Sequence, residues 1–83
     1  MTKTNINQTV HITALGFKKN LITYPRRMEY QGKTYNFIDA GLRCLFKCGE
    51  HIAEFFTLSD GQAYYHLRLD RTKNDWTLIS ISA

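Results

Sequence analysis

Apolar and polar residues alternate with period two through most of this chain, the signature of half-buried β-strands rather than helices. From Thr9 to Phe17, Val10, Ile12 and Ala14 alternate with Thr9, His11 and Thr13. Gly16 and the Lys18-Lys19-Asn20 cluster end this first strand, and Leu21 to Tyr24 are expected to pack against the body before Pro25. Residues 1–8 form a polar stretch, expected as a flexible N-terminal tail. That leaves 9–83 as a single antiparallel β domain.

The remainder reads as a meander of hairpins. Residues 26–30 and 33–38 flank Gln31-Gly32, and a tight turn there sets Met28 opposite Tyr35 and Arg26 opposite Phe37. Asp60-Gly61 is the strongest hairpin signal in the chain. With those two residues as the turn, Leu58 faces Ala63, Phe56 faces Tyr65 and Ile52 faces Leu69. Glu54 then lies inside opposite Leu67, and Phe55, Thr57, Tyr64, His66 and Arg68 lie on the other face. A last hairpin through residues 71–75 pairs Asp70 with Trp76 and sends Trp76 and Leu78 outward beside Arg68. A loop one residue different in length would invert that strand and bury Trp76.

Residues 39–49 carry two patterns. As a strand they point Leu42, Cys44 and Phe46 inward and Arg43, Leu45 and Lys47 outward, given a three-residue loop at Lys47-Cys48-Gly49. As a helix they have Asp39 as N-cap, Gly49 as C-cap and a stripe of Ile38, Leu42, Leu45 and Phe46. The segment is short for a helix, so the strand is preferred. The fold class expected is mainly β: one small antiparallel meander of five to six strands, strongly twisted or curled into a partly open barrel.

Composition supports a folded chain. The 83 residues are 43% hydrophobic, and five Tyr, five Phe and one Trp suit a small core that needs large side chains. No run of apolar residues is long enough for a membrane span, and the first nine residues lack the apolar core of a secretory signal. The expected location is therefore cytoplasmic, with no membrane partner. Cys44 and Cys48, both on one side of an extended strand, would sit roughly 13 Å apart at about 3.3 Å per residue, too far to bridge.

Charge adds a direction. The net charge is +4. Asp39, Glu50, Asp60, Asp70 and Asp75 fall at turns, whereas Arg26, Arg27, Lys33, Arg43, Lys47 and Arg68 fall inside strands. The pattern predicts one wet sheet face bearing cations among aromatic rings. Such a face suits nucleic acid, with Arg27, Lys33, Arg43, Lys47 and Arg68 neutralising phosphates and Tyr64, His66 and Trp76 stacking on bases. Little sequence preference and a strong salt dependence are expected. Arg26-Arg27 reads either as a phosphate clamp or as a guard on an edge strand.

Other chemistries find less support. Cys44, Cys48 and His51 have metal-ligand character but do not converge, so no metal or cofactor is expected. Ser59, Ser80 and Ser82 have no His pattern beside them, and the glycines are spaced as turns rather than as a phosphate loop. The sequence therefore points to a non-catalytic binding module. The alternative is a protein-protein interaction or homo-oligomeric assembly module, pairing through the apolar C-terminal strand Trp76–Ser82 as an edge.

Overall fold

A computed structural model describes residues 2–17, 23–38 and 41–83. Seven strands form one antiparallel sheet: β1 (Lys3–Phe17), β2 (Thr23–Tyr30), β3 (Lys33–Asn36), β4 (Leu42–Cys48), β5 (His51–Ser59), β6 (Tyr64–Asp70) and β7 (Asp75–Ser82). Their order across the sheet is β3-β2-β1-β7-β6-β5-β4, so β3 and β4 are the two edges and the sheet does not close into a barrel. The architecture is the antiparallel one expected, with seven strands in place of five or six. Asp39 and the segment 18–22, expected as a cap, a turn and a packing segment, lie outside the described residues.

The N-terminal stretch is a strand, not a tail. Lys3, Thr4 and Asn5 pair with Ser82, Ile81 and Ser80, and Thr2 and Ala83 exchange two backbone hydrogen bonds of 2.8 Å each. Further along, β1 leaves β7 after Val10 and pairs instead with β2 from His11 onward. This change of partner places β7 in the middle of the sheet, between β1 and β6. The C-terminal strand is thus no edge, and the expectation that it offers one is corrected. Its two apolar faces reflect an interior position.

The sheet coils until its ends approach. The rings of Tyr35 and Phe37, at the β3 end, each lie 5.4 Å from the ring of Tyr65 on β6. The Ile38 amide donates to the Ser59 carbonyl at 2.9 Å, joining the segment that follows β3 to the end of β5. Val10, Met28, Phe37, Phe56, Leu58, Tyr65, Leu67 and Leu78 form the core inside this coil. Gly16 lies where the Tyr24 ring crosses β1, and a Cβ there would overlap that ring.

Two loop lengths differ from expectation, with opposite consequences. The β5–β6 loop takes four residues, 60–63, so Phe56 pairs with Leu67 and Leu58 with Tyr65. Relative to a two-residue turn the register moves by two, so each residue keeps its face. The Asp60 carboxylate explains the longer loop: it accepts from the Gln62 and Ala63 amides at 2.9 Å each and from the Tyr65 hydroxyl at 2.7 Å. The β6–β7 loop, in contrast, is one residue shorter than expected, and Leu69 rather than Asp70 pairs with Trp76. That odd shift turns Trp76 to the core side, where its ring lies 5.4 Å from Phe56. Asp70 caps the shorter loop by accepting from the Thr72 and Lys73 amides.

Candidate functional site

Register decides which of the predicted binding residues can share a surface, because directly paired residues point to one side of a sheet. On β5 and β6 the outer face carries Phe55 beside Arg68, Thr57 beside His66 and Ser59 beside Tyr64. On β4 the turn is two residues long, Gly49-Glu50, with Cys48 opposite His51. Counting back, Leu42, Cys44 and Phe46 pair with Thr57, Phe55 and Ala53 on the outer face, whereas Arg43, Leu45 and Lys47 pair with Phe56, Glu54 and Ile52 on the core side. The expected orientation of β4 is therefore reversed. Lys33 pairs with Tyr30 on the Met28–Tyr35 side. Trp76 also faces the core.

The eight predicted residues are thus divided. Tyr64, His66 and Arg68 remain together on the outer side of β6, with Phe55 next to Arg68. Arg27 lies on β2, separated from β6 by β1 and β7. Its guanidinium donates to the Thr13 hydroxyl at 2.9 Å. As β2 is an interior strand, neither Arg26 nor Arg27 guards an edge. Arg43, Lys47, Lys33 and Trp76 belong to the opposite side. Departure of Arg43, Lys47 and Lys33 from the side of Tyr64, His66 and Arg68 reduces the basic-aromatic face that the alternation predicts to a small cluster on β6.

Arg43 has a structural partner. Its Nη2 lies 2.6 Å from Glu54 Oε1, and Arg71 Nε lies 3.6 Å from the same oxygen. Glu54 is buried in the core-side row of β5, and the salt bridge is how the chain tolerates a carboxylate there. The hydrogen bond to Glu54 holds the Arg43 guanidinium pKa above its ordinary value, against the opposing effect of burial. Replacing Arg43 with Met is expected to cost more than Glu54→Gln, about 2 against about 1 kcal/mol. It leaves the buried carboxylate with only the longer contact to Arg71, whereas the arginines freed by Glu54→Gln can turn to water. Urea denaturation of the two variants checks the order; equal losses would mean the pair acts as a surface ion pair.

His66 is also occupied. Thr57 Oγ1 lies 3.2 Å from its Nδ1 and Ser82 Oγ 3.2 Å from its Nε2, a polar ladder across β5, β6 and β7. The register expected from the longer loop already sets His66 opposite Ser80 and beside Ser82; the loop is one residue shorter, and a bulge between Leu67 and His66 restores that pairing. A serine on one ring nitrogen resembles a nucleophile and base. The other nitrogen meets a threonine rather than a carboxylate, so no anion steadies an imidazolium, and Ser82 is buried. The ladder reads as cross-strand satisfaction of polar groups.

The exposed feature that stands out is β4 itself. All seven of its residues are exposed, and Leu42 (75%) and Phe46 (58%) adjoin the partly exposed Phe55 to make an apolar strip on the outer face. Leu45, on the other side, is half exposed. Gly41 fixes where this strand begins. Its φ is +60°, and a Cβ would run into the Thr57 carbonyl oxygen, so the chain there can only be glycine if it is to lie this close to β5. Along its far side, among the described residues, β4 has no strand neighbour. The opposite edge, β3, is four residues long and carries one aromatic residue, Tyr35, whose ring is drawn toward Tyr65.

Cys44 and Cys48 are free thiols on the outer side of β4. Among the described residues no group of three His, Cys, Asp or Glu side chains is arranged to hold a metal ion, and no helix is long and apolar enough to cross a membrane. No protein-family model, curated protein or solved structure matches this chain.

Proposed function

We propose that this domain is a non-catalytic binding module that takes up an extended segment of a protein partner by adding it as a strand beside β4. The supporting observation is the edge itself: seven residues long, exposed on both faces and flanked by Leu42, Phe46 and Phe55. An edge strand presents a row of alternate N–H and C=O groups, and natural proteins commonly blunt such edges with short length, inward charge or a covering loop. Two basic residues are the only charges on β4, and its outer side carries none. Backbone hydrogen bonds would supply affinity for an added strand, and the apolar strip would favour apolar side chains at alternate positions. The nucleic-acid reading draws less support, because Arg43, Lys47, Lys33 and Trp76 lie on the other side and leave Arg68 as the one cation beside Tyr64 and His66.

The test is a selection of binders from a random peptide library, followed by mapping of amide shifts on the labelled domain. Selected peptides are expected to perturb residues 42–48 and to slow amide exchange on the free side of β4. Peptides that map to other strands, or a single-stranded oligonucleotide that binds more tightly than any of them, would overturn the assignment.

A further inference from the structure

The two faces of β4 differ in chemistry, and that difference specifies the partner. On the outer face Leu42, Cys44 and Phe46 are uncharged, and the adjoining β5 row adds Phe55, Thr57 and Ala53. On the core side the same strand presents Arg43 and Lys47, and Arg71 lies close by, its amide bonded to the Ile52 carbonyl and its guanidinium near Glu54. Glu54 is the one carboxylate among these three cations, and both arginines already approach its Oε1. Lys47 is exposed and pairs with Ile52, an apolar neighbour. The surplus of positive charge therefore lies along one side of the edge only. Glu50 sits past the strand in the turn and marks the end at which an added acidic residue would be repelled.

Resting on the strand-addition reading above, we infer that the occupant of this edge is an extended segment alternating apolar and acidic residues. Its apolar side chains continue the Leu42–Cys44–Phe46 strip, and its carboxylates lie beside Lys47 and the Arg43–Arg71 pair. Period-two alternation makes the two requirements compatible: neighbouring residues of an added strand must point to opposite faces. A second copy of this chain fits less well. Antiparallel self-pairing over the full strand, centred on Leu45, sets Arg43 directly opposite the second copy's Lys47, and like charges facing across strands destabilise.

The experiment uses three synthetic peptides with valine and phenylalanine at alternate positions and glutamate, glutamine or lysine between them, titrated calorimetrically into the full chain. The glutamate peptide is expected to bind about tenfold more tightly than the glutamine one, as two partly exposed ion pairs would give, with the advantage shrinking as salt rises. The lysine peptide is expected to bind weakest. Lys47→Glu, an exposed change, should largely erase the preference for the glutamate over the lysine peptide while leaving the melting temperature in place. N-methylation of alternate peptide amides should abolish binding. Equal affinity for the glutamate and glutamine peptides, each still sensitive to N-methylation, would overturn the charge inference and leave strand addition standing. Failure of all three together with absence of library binders at β4 would remove both. Sedimentation showing a dimer that Lys47→Glu strengthens would assign the edge to a second copy instead and overturn the inference.

Discussion

Replacing Phe56 with alanine should cost about 3–5 kcal/mol, whereas the same change at the adjacent Phe55 should stay within about 0.5 kcal/mol. The two residues are chain neighbours on one strand. Phe56 is 2% exposed, packed against Trp76 in the coil of the sheet, while Phe55 is 36% exposed on the outer side. Removing the Phe56 ring deletes buried apolar contacts and leaves a cavity that a coiled sheet can only partly collapse. For a domain of this size a loss that large takes most of the total stability. Urea denaturation of both variants makes the comparison, and similar losses at the two positions would contradict the face assignment of β5. Retained stability with lost peptide binding in Phe55→Ala would also tie the outer strip to the proposed partner.

The second large effect is expected at Asp60. Its carboxylate holds two loop amides and the hydroxyl of the buried Tyr65, so Asp60→Ala should cost about 1–2 kcal/mol, chiefly by leaving the Tyr65 hydroxyl and the part-buried Ala63 amide without their acceptor. A Tyr65→Phe change should cost less, and the double variant should be less destabilised than the sum, since both remove one shared bond. The interaction also predicts a pH dependence. Burial pushes the Asp60 carboxyl upward, but the hydrogen bonds from Tyr65, Gln62 and Ala63 outweigh it and hold the group below its ordinary value of 3.8. A carboxyl lowered in the folded state stabilises fully above its unfolded pKa, and the contribution is lost as pH falls below 3.8 toward the folded value. The stability gap between the native chain and Asp60→Asn should therefore narrow in acid. Burial, and then the neighbouring Asp60 carboxylate, push the Tyr65 phenol well above its ordinary 10.0. Its contribution should be intact below pH 10.0 and disappear as the pH rises through the raised value. A gap that stays constant from neutral pH into acid would show that the charge on Asp60 is immaterial.

Legibility of the candidate site differs sharply between strands. The outer row of Phe55, Thr57, Tyr64, His66 and Arg68 is readable because the core demand on Phe56, Leu58 and Leu67 fixes the alternate positions. The same logic fails on β4. There the apolar residues Leu42, Cys44 and Phe46 suggest a core-facing row, yet an edge strand with both faces exposed has no core to satisfy, and its apolar pattern says nothing about inside and outside. The Gly49-Glu50 turn, together with the reach of Arg43 to Glu54, sets the orientation instead. The shorter β6–β7 loop and its bulge are hidden for a related reason, since no local residue pattern marks either, but the two cancel by His66, which keeps the Ser80–Ser82 neighbours that the longer loop would give.

What the amino-acid order determines by itself is local: that the chain is extended, where Gln31-Gly32 reverses it, and which side of β5 and β6 is apolar. Those follow from period-two side-chain alternation and turn chemistry, which act over a few residues. Tertiary structure alone decides that β7 lies in the centre, that the first residues join it as β1, and that Trp76 turns inward while Arg43 and Lys47 part from Arg68. The first two depend on β1 pairing with a strand roughly seventy residues away in the chain, and the orientations of Trp76 and of β4 each hang on a loop differing by a single residue, a choice settled only when Trp76 meets Phe56 and Arg43 meets Glu54.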